Sequence, residues 1–176
     1  IINHYLKFGI NNFYILAGYK SYIIKSYFKN FKKVNQSFSF RSNSSNCNVT
    51  IIDSGQNSMT GGRLKKIDDF LEKDEEFMFT YGDGLSNVNL KNLIKFHRKM
   101  NKLITVTAVR PPARFGEILI KNNLVKSFKE KPQVNQGWIN GGFFIAKKKF
   151  LNLIQNEKTI LEKRPLEISA KKNQLS

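Results

Sequence analysis

A short apolar segment, Phe77 to Phe79, is closely followed by a single carboxylate, Asp83, that lies between two glycines. The segment is too short and too aromatic for a helix and predicts a buried strand. Ligands of open α/β sheets bind beyond the carboxyl ends of the strands, so Asp83 is expected at such an edge. A lone carboxylate there suits Mg²⁺, which completes its shell with water and phosphate oxygens. An ordinary turn explains Gly-Asp-Gly equally well.

Strand and helix patterns alternate along the chain, which predicts a doubly wound α/β fold in a single domain, residues 1–176. Strands are predicted at 12–17, 49–52, 103–109 and 137–145, and a β-hairpin at 116–129 turns at Asn122-Asn123. Residues 35–48, rich in Ser and Asn, are expected to form a loop or a weak edge excursion. One helical face is expected to carry Ile23, Ile24, Tyr27, Phe28 and Phe31.

A second candidate site lies at Thr60-Gly61-Gly62-Arg63, where an amphipathic helix is predicted to begin. The free N–H groups and dipole of a helix N-terminus attract anions. Arg63 would add a planar donor for phosphate or for a base carbonyl. A hydroxyl N-cap with glycines required for packing accounts for the same residues. The sequence leaves both interpretations open.

The chain is strongly basic, with 30 Lys and Arg against 13 Asp and Glu and a net charge of +17. Because the lysines are spread along every predicted element, a solvated surface is favoured over a nucleic-acid-binding module. Only two histidines are present, so a histidine-based metal cluster is excluded. No apolar run approaches the roughly 20 residues that span a bilayer, so no membrane association is expected. A single cysteine, Cys47, fits a cytoplasmic protein.

Several motifs occur along the chain in a characteristic order and spacing, which makes their combination more informative than any single motif. They are Thr60-Gly61-Gly62-Arg63, Phe79-Thr80-Tyr81-Gly82-Asp83-Gly84, Arg114-Phe115-Gly116, Phe128-Lys129-Glu130-Lys131-Pro132 and Trp138-Ile139-Asn140-Gly141-Gly142-Phe143-Phe144. This set resembles the sugar-nucleotide pyrophosphorylase family of nucleotidyltransferases, in particular its glucose-1-phosphate cytidylyltransferase branch. The resemblance covers nearly the whole chain and implies a Rossmann-like mixed sheet of the nucleotide-diphospho-sugar transferase type.

The resemblance implies that CTP and α-D-glucose 1-phosphate give CDP-glucose and pyrophosphate with Mg²⁺, by direct attack of the sugar phosphate on the α-phosphorus. Asp83 would hold the metal and contact the nucleotide. Ser58, Arg63 and Gly82 would also lie on the nucleotide, Ser58 standing where the family has a threonine. Lys131 would neutralise the sugar phosphate, with Glu130 and Asn140 toward the sugar. The catalytic set implied is therefore Asp83, Arg63 and Lys131.

The family also has a glycine-rich Gly-Thr-Arg loop, a lysine after it and a second metal-binding aspartate, and this chain contains none of them. The chain is therefore expected to be an internal fragment, inactive by itself, of an enzyme that forms homo-oligomers. Three alternatives stay open: a relative that uses another nucleotide or hexose phosphate, a basic nucleic-acid-binding module, and a non-catalytic remnant.

Overall fold

The computed structural model of this chain describes residues 1–30, 32–34, 37–42, 45–72, 75–111, 117–129 and 137–176. The helices are α1 (Ile2–Leu6), α2 (Ser21–Phe28), α3 (Thr60–Lys65), α4 (Leu90–Met100) and α5 (Arg164–Lys171). The strands are β1 (Asn12–Ala17), β2 (Lys32–Val34), β3 (Ser37–Ser42), β4 (Ser45–Asp53), β5 (Glu76–Thr80), β6 (Ile104–Val109), β7 (Glu117–Lys121), β8 (Leu124–Lys129) and β9 (Ile139–Lys147). Short 3₁₀ segments cover Asp68–Phe70 and Lys148–Leu153.

Within the described residues, the strands form three hydrogen-bonded sheets, with orders β1-β4-β3-β2, β5-β9-β6 and β7-β8. Strands β1 and β4 are parallel, with Ala17 opposite Asp53 at their carboxyl ends. Strand β9 is antiparallel to both of its neighbours, so β5 and β6 run in the same direction. The mixed α/β class predicted from the sequence is confirmed, and the strands are divided among separate sheets.

An apolar cluster that includes the buried Phe144 joins the second sheet to the first. Phe79 on β5 stacks on Phe144 of β9, with ring centroids 4.5 Å apart and planes 5° from parallel. Leu16 on β1 and Tyr81 after β5 pack against the same buried cluster. The carboxyl ends of β1 and β5 therefore share one core. No helix in these described ranges is long and apolar enough to cross a bilayer.

The first sheet differs from the expectation for residues 35–48. Residues 35–48 are expected to form a loop or a weak edge excursion, whereas those described lie in β3 and β4, the two inner strands of the sheet, which pair antiparallel. Phe38 packs against the buried Val49, which gives this polar segment an apolar inner face. The loop alternative is therefore wrong, because the segment continues the sheet from β4 as regular strands.

The predicted apolar face of α2 is confirmed for Ile24 and Phe28 and wrong for Ile23 and Tyr27. Phe28 is buried and Ile24 is half-buried, four residues apart, whereas Ile23 and Tyr27 are exposed. Helical spacing fits either stripe, and the strands beneath the helix select the one that contains Phe28. Phe31, which was assigned to the same face, lies outside the described residues.

Helix α4 carries a fully buried histidine, His97. Its Nδ1 lies 2.7 Å from Thr105 Oγ1, whereas its Nε2 has no hydrogen-bond partner among the described residues. Burial lowers the pKa of His97; the nearby Glu76 carboxylate opposes this shift, and Lys147 and Arg98 add to it. The folded protein therefore holds His97 neutral at a pH where the unfolded chain protonates it.

We expect the free energy of unfolding to fall as the pH is lowered from 7 to 5. The pKa of His97 is depressed in the folded state, so its contribution is complete above the unfolded value of about 6.5. Below that value it is lost at up to about 1.4 kcal/mol per pH unit, until the pH reaches the folded-state pKa. Urea unfolding at several pH values measures the slope. His97→Gln should flatten the slope relative to the control His4→Gln, and equal slopes in the two variants would contradict the assignment.

Candidate active site

Asp83 lies in the turn that directly follows β5, with its side chain exposed. Its carboxylate makes no hydrogen bond or ion pair with any residue that the structure describes. A Cβ added at Gly82 would meet no atom within 4 Å, so the backbone before Asp83 faces open space. The strand thus delivers an unpaired carboxylate to a position that a bulky ligand can approach.

The Arg63 side chain lies between the carboxyl ends of β1 and β4. Its Nη1 donates to Ser54 Oγ at 3.1 Å and its Nη2 donates to the Gln56 carbonyl at 3.5 Å. A Cβ at Gly18 would overlap the guanidinium, so this glycine is required for the close approach. Arg63 is therefore fixed by contacts to both parallel strands, which leaves part of its fork for a ligand.

A cavity of about 440 Å³ opens beside Arg63. Its lining consists of Gly18, Tyr19, Lys20, Ser21, Tyr22, Asp53 and Gln56. Two of these residues, Gly18 and Gln56, also contact the guanidinium. The cavity lies beyond the carboxyl ends of parallel strands, the position at which ligands of α/β sheets bind.

The predicted anion site at the start of α3 is wrong. The amides of Gly61 and Gly62 both donate to the Thr159 carbonyl, at 2.9 and 3.1 Å, and are not available to a ligand. Met59 is the N-cap residue and makes no side-chain capping bond, so the hydroxyl-cap alternative also fails. Only the packing role of the glycines is confirmed, because added Cβ atoms would run into the backbone at Glu157 and Thr159.

Ser58, predicted on the nucleotide, is 6% exposed. Its hydroxyl donates to the Ser54 carbonyl. The same residue, Ser54, receives the Nη1 bond from Arg63. Ser58 therefore shapes the loop that supports Arg63, and its contact with a nucleotide stays a prediction.

A hydrogen-bonded cluster connects four sequence-distant segments. The Tyr81 hydroxyl donates to Glu162 Oε1 at 2.6 Å, and Asn140 Nδ2 donates to the Tyr81 oxygen at 3.2 Å. Thr60 Oγ1 donates to Glu162 Oε2 at 2.7 Å, and Asn140 Oδ1 accepts from the Gly142 amide at 2.8 Å. The cluster brings the motif before Arg63, the motif that contains Asp83 and the motif around Asn140 to one place.

The protonation states of this cluster follow from its surroundings. Burial raises the pKa of Tyr81 to about 12, with further contributions from the hydrogen bond to Glu162 and from the negative charge of Asp83. Burial raises the pKa of Glu162 as well, yet the hydrogen bonds from Tyr81 and Thr60 hold it below its usual range. At neutral pH the phenol is therefore a donor and the carboxylate an acceptor.

The predicted site residues thus fall into two groups. The structure places Asp83, Gly82 and Asn140 around Tyr81, and places Arg63 and Ser58 at the ends of β1 and β4. The predicted Glu130 and Lys131 lie outside the described residues, as does the Arg114-Phe115-Gly116 motif.

No sequence pattern identified Glu162 or the Tyr81 hydroxyl as part of the site. Glu162 lies in a lysine-rich stretch, without glycines beside it or an apolar strand before it. Its partners Thr60 and Tyr81 are 102 and 81 positions away. No local spacing indicates such a contact. Tyr81 belongs to a recognised motif, which was the available signal.

Comparisons with known proteins show which sequences this chain is similar to. The nucleotidyl transferase family matches residues 1–175. A glucose-1-phosphate cytidylyltransferase of Salmonella typhimurium is 40% identical over 99% of this chain and 72% of its own length. A probable glucose-1-phosphate cytidylyltransferase of Bacillus subtilis is 32% identical over 100% and 72% of the two chains.

Solved structures share the fold. The crystal structure of HddC from Yersinia pseudotuberculosis has a TM-score of 0.61 and 25% identity, covering 92% of this chain and 68% of its own. The family match over almost the whole sequence, the two curated relatives and this fold lead to one conclusion: the chain belongs to the nucleotidyl transferase family.

Proposed function

We propose that this protein transfers a cytidylyl group from CTP to α-D-glucose 1-phosphate, giving CDP-glucose and pyrophosphate. The observation that carries the proposal is the unpaired, exposed carboxylate of Asp83 at the end of β5, beside the Tyr81–Asn140 pair. The curated relatives named as glucose-1-phosphate cytidylyltransferases support the choice of substrates.

The reaction needs no nucleophile from the protein. A phosphate oxygen of the sugar phosphate forms a bond to the α-phosphorus of CTP, and the bond from that phosphorus to the bridging oxygen breaks. Pyrophosphate leaves with the electron pair. The protein therefore has to align the two substrates and to stabilise the charge on their phosphates.

Asp83 fits a magnesium site of the kind that is completed by substrate. No group of three or more His, Cys, Asp or Glu side chains that could hold a metal occurs in the described part of the chain, so no all-protein cage exists there. Mg²⁺ commonly takes one or two carboxylates together with phosphates and water. When bound, it would neutralise phosphate charge and orient the triphosphate. Asp83 would hold it, and Gly82 would let the phosphates pass close to the backbone.

Arg63 and Lys131 serve the two substrates separately in this proposal. Arg63 contacts Gly18 and Gln56, two residues that line the cavity at the ends of β1 and β4, and would donate to the nucleotide. Lys131, in the Glu130-Lys131-Pro132 motif, would pair with the phosphate of glucose 1-phosphate, with Glu130 and Asn140 on the sugar. We place the enzyme in the cytoplasm as a homo-oligomer, in keeping with the family and with its single free cysteine.

The test is pyrophosphate release by the full-length protein with glucose 1-phosphate and each of the four ribonucleoside triphosphates. CTP should be used with a kcat/KM at least about tenfold above the others, because a hydrogen-bonding base site rejects the wrong base edge. A higher kcat/KM with another nucleotide would overturn the base assignment. Binding of DNA or RNA without pyrophosphate release would replace the proposal by a nucleic-acid function.

A further inference from the structure

We propose that Glu162 is a positioning residue for the sugar-phosphate and metal side of the site, which it serves by holding Tyr81. The inference rests on the proposed cytidylyl transfer. Glu162 lies in the segment between β9 and α5, away from every motif that indicated the function. Its role follows from what its two carboxylate oxygens contact.

Each oxygen of Glu162 accepts one short hydrogen bond from a hydroxyl group, Oε1 from Tyr81 at 2.6 Å and Oε2 from Thr60 at 2.7 Å. Thr60 is itself fixed, because its oxygen accepts from the Leu161 amide at 2.9 Å. Hydrogen bonds to an ionised acceptor are about twice as strong as neutral ones. The carboxylate therefore ties Tyr81 to the first turn of α3.

The choice of partners distinguishes Glu162 from an ordinary surface carboxylate. The chain carries 30 Lys and Arg, and Lys163 and Arg164 directly follow Glu162. Exposed carboxylates elsewhere take such partners, as Glu157 does with Lys66 at 2.7 Å. Glu162 makes no ion pair with any cation in the described ranges, and both of its oxygens serve hydroxyl groups of the two motif segments.

Glu162 acts on the site through Tyr81. Its ring lies close against Gly142, where an added Cβ would come within 2.9 Å of Tyr81 Cδ2. Its oxygen accepts from Asn140, a residue predicted on the sugar. Only Gly82, which is unhindered, separates Tyr81 from Asp83. The hydrogen bond that holds the phenol therefore also orients the Asn140 amide. It fixes the position of Tyr81, two residues before Asp83, and so restricts the positions that the Asp83 carboxylate can take.

Arg63, the residue predicted on the nucleotide, is held by contacts that do not involve Glu162. Arg63 is held by Ser54, Gln56 and the surface of Gly18, none of which contacts Glu162. Loss of Glu162 should therefore affect the two substrates unequally. This inequality separates positioning from a general effect on folding.

The experiment compares Glu162→Ala and Glu162→Gln with Tyr81→Phe in the full-length enzyme. We expect Glu162→Ala to raise the KM for glucose 1-phosphate and the Mg²⁺ concentration for half-maximal rate about tenfold. The KM for CTP should rise less than the KM for glucose 1-phosphate, because Arg63 keeps its contacts, and the Tm should fall by a few degrees because two hydrogen bonds to the carboxylate are lost. Glu162→Gln keeps one acceptor oxygen and should lie between the wild type and Glu162→Ala. Glu167→Ala, an exposed glutamate on α5, is the matched control and should behave as wild type.

A double-mutant cycle tests the route through Tyr81. In the Tyr81→Phe background, Glu162→Ala should add little to the KM for glucose 1-phosphate, because the phenol that it holds is already gone. Unchanged constants in Glu162→Ala, or equal rises in both KM values with a large loss of Tm, would overturn the inference. Failure of the proposed function shows separately, as absence of CDP-glucose formation by the wild type.

Discussion

Asp83→Asn is expected to lower kcat for CDP-glucose formation about a thousandfold, because a bound metal contributes several kcal/mol to stabilising phosphate charge. Asparagine has the same shape but lacks the charge that holds a divalent cation. Stability should not change, since the carboxylate is exposed and makes no hydrogen bond or ion pair with the described residues. The defect should therefore lie in turnover and in the Mg²⁺ requirement.

The measurement is initial rate over a range of Mg²⁺ concentrations at saturating CTP and glucose 1-phosphate, with the Tm recorded for each protein. Asp69→Asn, which removes an exposed carboxylate from the 3₁₀ segment, serves as the matched control. Its rate should match that of the wild type. A rate for Asp83→Asn within about threefold of the wild type would remove Asp83 from the metal site and leave the proposed mechanism without its carboxylate.

The local elements could be predicted because short-range physics determines them. Strand β1 covers Asn12–Ala17, the residues predicted for it, and Gly18 follows. The hairpin of β7 and β8 turns at Asn122 and Asn123, both with left-handed φ, the conformation that such a two-residue turn requires. Helix α4 begins at Leu90 after the N-cap residue Asn89, one of two candidate caps in the sequence with Asn87, and the Asn89 side chain accepts from the Asn92 amide at 3.1 Å.

The segment after Thr60 shows what local sequence patterns do not predict. The apolar spacing of Leu64, Ile67, Phe70 and Leu71 predicts that one amphipathic helix continues through these residues. The structure differs, because α3 ends at Lys65 and a 3₁₀ segment follows. The free amides expected at its start are bonded to a loop nearly a hundred positions later in the chain. A sequence pattern identifies the donors of a helix terminus, but it does not show which distant carbonyl occupies them.

The candidate site could be predicted only in part, because sequence patterns do not show which distant residues come into contact. Motif resemblance located Asp83, Arg63 and Asn140, and the structure brings two of them to one cluster. Glu162 could not be found, because its role arises only when the segment after β9 folds back on α3 and β5. Residues that act by holding others carry no spacing signal of their own.

Gly62→Ala is expected to reduce the free energy of unfolding by about 3 kcal/mol, a loss of roughly 10 °C in Tm. Alanine is favoured over glycine inside a helix by about 1 kcal/mol, so propensity alone predicts the opposite sign. Steric overlap outweighs it, because the new Cβ would run into the Glu157 backbone, which cannot rotate away as a flexible side chain can. The Gly62 amide would also be pushed from the Thr159 carbonyl, to which it donates at 3.1 Å.

Urea and thermal unfolding measure the loss, with Gly84→Ala as the control. A Cβ at Gly84 would meet only the Tyr81 carbonyl, at an ordinary 3.9 Å, so this variant should stay within about 0.5 kcal/mol of the wild type. Equal stability of the two variants would contradict the packing of α3 on residues 157–161. Displacement of α3 would also move Thr60 away from Glu162. Gly62→Ala should therefore raise the KM for glucose 1-phosphate even at temperatures where it remains folded, which links the stability of this contact to the site that it supports.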